Sequence, residues 1–97
     1  KQLMKTQPLR HYNITVKGKV QRVSYRFCTH AQAIKCNLTG YVRNLHSGDV
    51  LIEAEGLEDD INKLIDWCYV GSPLSKVTEV IAEEGEVRNF ETFEVKK

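Results

Sequence analysis

An arginine just inside a predicted helix, directly after a short turn, is the first feature of this sequence that could do chemistry. Residues 16–26 read Val-Lys-Gly-Lys-Val-Gln-Arg-Val-Ser-Tyr-Arg, with Ser24 as the expected N-cap of the helix. A turn that leads into the free N–H groups of a helix N-terminus can surround an oxyanion with donors. Arg26 would add a planar guanidinium that pairs with two phosphate oxygens. The stretch therefore indicates a phosphate-binding loop, although on spacing alone an ordinary strand-to-helix turn with a solvated arginine is the simpler interpretation.

Hydrophobic periodicity on both sides of this loop predicts the elements that position it. Before the loop, apolar residues and one glycine lie two positions apart, which is typical of a half-buried strand: Tyr12, Ile14, Val16, Gly18 and Val20. After the loop, apolar residues recur at helical spacing: Phe27, Ala31, Ile34 and Leu38. The loop is therefore expected to join the first strand to the first helix, with Asn37 as a left-handed residue at the helix end.

The remaining periodic segments and turn signals predict an α+β fold. The first predicted elements are a strand over 11–19, a helix over 25–36 and strands over 38–45 and 50–55. A second helix follows and ends at Gly71, with five residues on one face: Leu57, Ile61, Leu64, Ile65 and Cys68. The last elements are a strand over 76–82 and a short strand marked by Phe90, Phe93 and Val95. Residues 83–86 are expected to form a loop, and imperfect alternation in the strand before them indicates a bulge. The βαββαβ order matches the ferredoxin-like split βαβ sandwich, an antiparallel sheet of four or five strands with two helices on one face.

Two stretches of the chain resemble the two signatures of one enzyme family. Residues 18–26 resemble G-x-V-Q-G-V-x-F-R, and residues 40–50, Gly-Tyr-Val-Arg-Asn-Leu-His-Ser-Gly-Asp-Val, resemble G-Y-x-x-N-x-x-x-G-x-V. Both signatures belong to the acylphosphatases, and here they occur in the right order and at the right separation. The resemblance extends over about residues 12–95, nearly the whole chain.

The resemblance implies an enzyme that hydrolyses small acyl phosphates, the mixed anhydrides of a carboxylic acid and phosphoric acid, without a metal or other cofactor. It implies that Asn44 orients the attacking water, so that Arg26 and Asn44 are the expected catalytic residues. It also implies that the phosphate is held by consecutive loop residues, through their N–H groups and the guanidinium of the last one: Gln21, Arg22, Val23, Ser24, Tyr25 and Arg26.

Arg22 is the main departure from the family pattern, which has glycine at that position. Glycine permits a positive φ and a close approach of the backbone to the phosphate. Two interpretations follow: the loop keeps its shape, with Arg22 in solvent or near the anion as a second cation, or the phosphate cradle is distorted and activity is weak. Tyr25 replaces the usual phenylalanine, a mild change if its hydroxyl reaches a polar partner.

Composition limits the remaining function classes. The chain has 97 residues, a net charge of +1 and 41% hydrophobic residues, which predicts one domain over residues 11–97 after a flexible lead-in over 1–10. The near-neutral charge argues against a nucleic-acid partner, and no apolar run is long enough to span a membrane. An odd number of cysteines, three, without C-x-x-C spacing indicates reduced thiols in a cytoplasmic protein and no metal site. We expect a monomer.

Three other functions remain open at this stage. The first is a domain that handles carbamoyl phosphate, because a related domain occurs in the hydrogenase-maturation proteins. The second is a non-catalytic module of the same fold that binds a phosphorylated ligand or RNA. The third is a weakened paralogue kept as a structural partner, for which Arg22 is the only support. RNA recognition on such a sheet usually needs aromatic platforms and a basic surface, and this sequence lacks both.

Overall fold

The computed structural model describes residues 8–97 and contains a five-stranded mixed sheet with two helices. In chain order the elements are β1 (Arg10–Lys19), α1 (Tyr25–Lys35), β2 (Thr39–Asn44), β3 (Val50–Gly56), α2 (Glu58–Val70), β4 (Lys76–Gly85) and β5 (Phe93–Val95). The predicted α+β, ferredoxin-like class is confirmed. Residues 1–7 of the expected lead-in lie outside the described residues, and Arg10 is already the first residue of β1.

The strand order, β4-β1-β3-β2-β5, brings the ends of the two motif-bearing strands together. β1 and β2 both pair antiparallel with β3, so they run in the same direction on either side of it. Val50 of β3 lies opposite Val16 on one side and opposite Asn44 on the other. The loop that follows β1 and the last residue of β2 therefore meet at the same edge of the sheet.

The last strand differs from the predicted antiparallel arrangement, because β5 pairs parallel with β2. β4 is longer than the predicted 76–82 and reaches Gly85, so three residues of the expected loop 83–86 pair with β1 instead. β4 runs antiparallel to β1 and ends near the start of β1 and β2. A short connection across the sheet therefore starts β5 beside the first residues of β2, and the two strands run in the same direction.

One face of the sheet and one stripe of each helix form the core. The sheet contributes fully buried apolar side chains: Ile14, Val16, Val42, Val50, Ile52 and Ala54. Of the predicted apolar face of α2, Ile61, Leu64 and Cys68 are buried and Ile65 is partly buried, whereas Leu57, which precedes the helix, is 37% exposed. No helix within residues 8–97 is long and apolar enough to cross a membrane.

The predicted apolar face of α1 is wrong. Phe27 and Ile34 are 64% and 53% exposed, and the buried positions of the helix are Tyr25, Thr29 and Ala33. Thr29 can be buried because its hydroxyl donates to the carbonyl of Tyr25 at 2.8 Å, and its small size lets the helix approach the sheet closely. The anchoring of the large Tyr25 ring in the core, and not the count of apolar residues, sets which side of α1 is buried.

The predicted bulge and the predicted helix end are both confirmed. Lys17 pairs with Glu79 and Gly18 with Val77, so one extra residue is accommodated in β4. Gly18 has φ +123°, and a Cβ there would lie 2.2 Å from the carbonyl oxygen of Lys76, so only glycine fits where β1 bends into the loop. Asn37 has φ +60° after the end of α1, as the sequence indicated.

Candidate active site

A surface cavity of about 300 Å³ lies where the β1–α1 loop meets the end of β2. Its lining residues come from the loop, from the first turn of α1 and from β2: Val20, Arg22, Ser24, Tyr25, Arg26, Phe27 and Asn44. Arg26 and Asn44, which are eighteen positions apart in the sequence, therefore face one small cavity. The antiparallel pairing of β1 and β2 with the strand between them is what brings the two side chains together.

The loop that borders the cavity contains two non-glycine residues in the left-handed region. Arg22 has φ +63°, and Ser24 has φ +62° and ψ +20°. A left-handed residue followed by a right-handed helical one turns successive N–H groups toward a common point, a concave arrangement that binds anions. The backbone at Arg22 thus has the positive φ that glycine would allow, although the side chain is arginine.

Ser24 precedes the helix as predicted, but its hydroxyl does not cap it. No side-chain hydrogen bond is formed at the N-cap position, since left-handed backbone is not the extended conformation of an N-cap serine. The first helical bond recorded there joins the N–H of Cys28 to the carbonyl of Ser24 at 3.1 Å. The N–H groups before Cys28 have no acceptor within the helix and lie at its positive end, beside the cavity.

The guanidinium of Arg26 is anchored by the chain after β5. Its Nη1 donates to the carbonyl oxygen of Lys96 at 2.7 Å. Arg26 is half-buried and lines the cavity, so this bond fixes a side chain that would otherwise be flexible. A guanidinium has further N–H donors, and these can bind an anion in the cavity without loss of the anchor.

The side-chain amide of Asn44 is the second polar group at the cavity. Its Oδ1 is buried and has no hydrogen-bond partner among residues 8–97. A buried, unpaired acceptor costs about 1–3 kcal/mol, so such a group in a native protein calls for a functional explanation.

Gln21 and Val23 do not line the cavity with their side chains. Gln21 donates from Nε2 to the carbonyls of Leu45, at 2.8 Å, and Asp49, at 2.9 Å. Val23 is buried in the core, and its carbonyl accepts a hydrogen bond from Ser72. These contacts hold the loop against the β2–β3 turn and the α2–β4 connection, so any contact of the two residues with an anion is through backbone N–H groups.

Tyr25 is among the residues that line the cavity, but its side chain lies in the core and carries no charge. The side chain is 1% exposed, its hydroxyl donates to the carbonyl of Cys68 at 2.8 Å, and its ring contacts Trp67. Burial raises the pKa of Tyr25 well above its usual range. The Tyr25 hydroxyl, which the family's phenylalanine lacks, therefore has a polar partner, and its hydrogen bond joins α1 to α2.

Comparison with known proteins identifies the family of this chain. The acylphosphatase family model matches residues 12–95. The chain belongs to the acylphosphatase family. An acylphosphatase of Aliivibrio fischeri is 40% identical over 84 residues, which cover 87% of this chain and 93% of that protein. Family membership confirms the predicted enzyme class, a hydrolase that acts on acyl phosphates.

Solved structures related to the acylphosphatase family share the fold. The crystal structure of an acylphosphatase from Bacillus subtilis matches with a TM-score of 0.89 and 34% identity, covering 93% of this chain and 100% of that chain. Full-length HypF, in a phosphate- and nucleotide-bound form, matches with a TM-score of 0.86 and 28% identity, over 96% of this chain and 12% of that one. The ferredoxin-like assignment therefore stands on sequence and on structure.

Two features of the site were missed by sequence reasoning. Phe27, assigned to the core face of α1, is exposed and lines the cavity beside Arg26. The Lys96 carbonyl that anchors Arg26 is a backbone group, so no residue type marks it in the sequence. For Phe27 a signal existed, because it follows directly the arginine that the acylphosphatase signature places at the site.

Proposed function

We propose that this chain hydrolyses the carboxyl–phosphate bond of small acyl phosphates to a carboxylate and inorganic phosphate. In this mechanism Arg26 and the N–H groups of the loop after β1 hold the phosphoryl group, and Asn44 orients the attacking water. The observation that supports it is the shared cavity: Arg26, whose guanidinium is anchored, Asn44 and the first residues of α1 line the same small volume.

The chemistry fits a site with so few parts. An acyl phosphate has a carboxylate as its leaving group, so little general-acid help is needed. Phosphoryl transfer depends mainly on positioning and on stabilisation of charge over the phosphoryl oxygens, which a guanidinium and a ring of N–H donors supply. Asn44 does not titrate near neutral pH, but its amide can accept from one water proton and donate to a neighbouring oxygen. The proton released by the water passes to the phosphate of the substrate.

Arg22 adds a second positive charge to this mechanism. Its side chain lines the cavity, and the left-handed backbone at this position keeps the loop in a glycine-like shape. We infer that Arg22 contributes to attraction of the doubly charged phosphoryl group, while Arg26 supplies the directed contacts. The loop N–H groups from Gln21 to Arg26 complete the cradle.

Hydrolysis of benzoyl phosphate, followed by ultraviolet absorbance with a chelator present, tests the proposal. We expect turnover that persists with the chelator and is inhibited competitively by inorganic phosphate. Absence of turnover together with measurable phosphate binding would instead identify a non-catalytic phosphate-binding module. Loss of turnover on chelation would contradict a metal-independent mechanism.

Carbamoyl phosphate should be tested as a second substrate, with release of inorganic phosphate as the readout, because handling of carbamoyl phosphate is the alternative that the sequence left open. A preference for carbamoyl phosphate over benzoyl phosphate would favour the alternative function.

We further propose that the chain acts as a monomer in the cytoplasm, since the cavity is complete within one chain and all three cysteines are free thiols. Light scattering of the purified protein tests the monomer.

A further inference from the structure

The face of the sheet opposite the helices carries a buried cluster of ionisable side chains that the proposed mechanism does not use. His11, Glu53 and Glu55 are 2%, 7% and 3% exposed. Charged groups are seldom so deeply buried, because their desolvation is costly unless they are paired and hydrogen-bonded. The cluster lies on the other side of the sheet from the cavity, so it cannot contact a ligand there. Its role must therefore come from the segments of the chain to which it is hydrogen-bonded.

Glu55 holds the connection between β4 and β5, residues 86–92, which we call the strap. Its carboxylate accepts hydrogen bonds from the backbone N–H of Arg88 and, at 3.1 Å, from that of Phe90. His11 Nδ1 lies 2.7 Å from the same carboxylate. Bonds to backbone N–H groups fix the path of the strap itself, not merely a side chain on it.

Glu53, two residues earlier on β3, provides a natural comparison. It accepts a hydrogen bond from the hydroxyl of Tyr41 at 2.5 Å, and its Oε1 lies 3.1 Å from His11 Nε2 without forming a hydrogen bond. Among the described residues, its ion pair with the strap is with the side chain of Arg88, at 3.9 Å. The two buried glutamates of β3 therefore meet the strap differently: Glu55 accepts hydrogen bonds from the strap backbone, and Glu53 pairs with a side chain.

The far end of the strap leads by hydrogen bonds to the guanidinium of Arg26. The carbonyl of Thr92 accepts from the N–H of Gly40 at 2.9 Å, and the N–H of Lys96 donates to the carbonyl of Val42 at 2.8 Å. Between them β5 pairs with β2. The carbonyl of Lys96 then accepts from Arg26. β5 has three residues and pairs with one neighbour, so its position depends strongly on how its two ends are held.

We propose that Glu55 is a positioning residue for Arg26. By binding the strap on one face of the sheet, Glu55 fixes β5 along β2, and with it the Lys96 carbonyl that orients the guanidinium toward the cavity. The proposal rests on the proposed function for its catalytic consequence, but the mechanical link itself is independent of turnover. The proposal gives the buried cluster a role in positioning the active site, although the cluster and the cavity lie on opposite faces of the sheet.

The matched variants Glu55→Gln and Glu53→Gln test the proposal, because both remove one buried carboxylate of the same strand. The probe is inorganic phosphate, titrated against the labelled protein by NMR. We expect Glu55→Gln to weaken phosphate binding by about threefold to tenfold, the range typical of energetic coupling between separated sites. Glu53→Gln should leave the phosphate affinity unchanged. Equal effects of the two variants, or none from Glu55→Gln, would overturn the proposal.

A double-mutant cycle with Arg26→Ala separates positioning from general loss of structure. If Glu55 acts through Arg26, Glu55→Gln has no further effect on phosphate affinity once the guanidinium is gone. Additive effects would show that Glu55 supports the fold alone and would contradict the proposal. Hydrogen exchange of the Lys96 amide gives a readout that needs neither phosphate nor turnover: it should quicken in Glu55→Gln and not in Glu53→Gln. Failure of the proposed function would leave this result unchanged.

A second pair of variants at the surface covers the case in which Glu55→Gln fails to fold. Asn89 lies exposed in the strap with φ +60°. Asn89→Val places a β-branched residue in a left-handed conformation and strains the strap, whereas Asn89→Gly keeps that conformation available. We expect faster exchange of the Lys96 amide and weaker phosphate binding in the valine variant alone. Identical behaviour of the two variants would contradict the link.

Discussion

Arg22 and Ser24 show how far the site depends on backbone conformation at single residues. Both have φ near +60°, which costs an L-residue about 1–2 kcal/mol relative to right-handed backbone. The loop accepts this cost at two of three consecutive positions, and left-handed residues of this kind are typical of loops whose N–H groups bind an anion. Of the two interpretations of Arg22, the retained loop shape is the one that agrees with its φ angle.

Replacement of Arg22 by glycine should therefore stabilise the fold without improving catalysis. Relief of the left-handed strain, about 1–2 kcal/mol, exceeds the extra chain entropy of glycine, about 0.5–1 kcal/mol. We expect the free energy of unfolding to rise by roughly 0.5–1 kcal/mol in urea titrations, and kcat/KM to fall modestly because a cation leaves the cavity. A large gain in kcat/KM would show that the arginine distorts the cradle.

Asn44→Ala should separate catalysis from binding. We expect kcat to fall by about a hundredfold to a thousandfold, the typical cost of losing one positioned polar contact, with inhibition by phosphate nearly unchanged. Arg26→Ala should weaken both phosphate inhibition and kcat. Arg43→Ala, an exposed neighbour on β2, is the control. Equal phosphate inhibition in the wild type and Arg26→Ala would contradict the role of the guanidinium.

Phe27 is exposed and lines the cavity, and in the proposed mechanism the acyl group of the substrate contacts its ring. We expect Phe27→Ala to raise the KM for benzoyl phosphate several-fold and to leave that for acetyl phosphate unchanged, because only the aryl group gains from contact with the ring. Ile34→Ala, exposed on the same helix but outside the cavity, is the matched control. An equal change for both substrates would count against a contact with the acyl group.

At the scale of elements, α1 determines where the arginine points. Its buried stripe begins at Tyr25, whose ring lies in the core and whose hydroxyl bonds to α2. Since Arg26 follows directly, the rotation of α1 about its axis places the guanidinium at the cavity. The Schellman-type bonds at the other end, from Leu38 to Ala33 and from Asn37 to Ile34, stop the helix before β2.

Tyr25→Phe tests this docking of α1 on α2. The variant loses the hydrogen bond to the Cys68 carbonyl and keeps the ring, so the free energy of unfolding should fall by about 0.5–1.5 kcal/mol. kcat should stay within twofold, because the hydroxyl is bonded to the Cys68 carbonyl in the core and has no part in the proposed mechanism. Tyr69→Phe, 60% exposed on α2, serves as the control and should change neither quantity. A large loss of kcat in Tyr25→Phe would give the hydroxyl a catalytic role.

At the scale of the whole molecule, the sheet separates the face that carries the candidate site from the face that holds the strap. The cavity lies at one edge on the helix side, and the His11–Glu53–Glu55 cluster lies under the strap on the other side. The strap joins them because the chain must cross the sheet to place β5 beside β2. Stability and site geometry are therefore not independent in this fold.

The lowered pKa of the buried Glu55 carboxyl group predicts how the free energy of unfolding changes with pH. Burial alone would raise the pKa of Glu55, but hydrogen bonds from the Arg88 N–H, His11 and the Phe90 N–H outweigh it, and the pKa is lowered. A carboxyl group with a lowered pKa stabilises the folded state fully above its unfolded pKa, about 4.3 for glutamate, and loses that effect as pH falls through the folded value. Urea unfolding should show decreasing stability below about pH 4–5, and Glu55→Gln should flatten the decrease. An unchanged slope in the variant would assign the decrease to other groups, such as Asp49, whose pKa is also lowered.

The sequence by itself determined the family, the order of elements and the two residues now placed at one cavity. Local signals carry this information: alternation in β1, asparagine at the left-handed end of α1, and two short signatures. Each is a constraint on a residue and its near neighbours, so each can be recognised without knowing what packs against it.

The tertiary structure alone decided which side of α1 is buried, the parallel pairing of β5, the exposure of Phe27 and the bond from Arg26 to the Lys96 carbonyl. All four depend on contacts between segments far apart in the chain. Helical spacing cannot tell a stripe containing Phe27 from one containing Tyr25, since both repeat at the same period and only packing against the sheet distinguishes them. The anchor of Arg26 is a backbone carbonyl, which every residue has, so only the folded path of the chain reveals it.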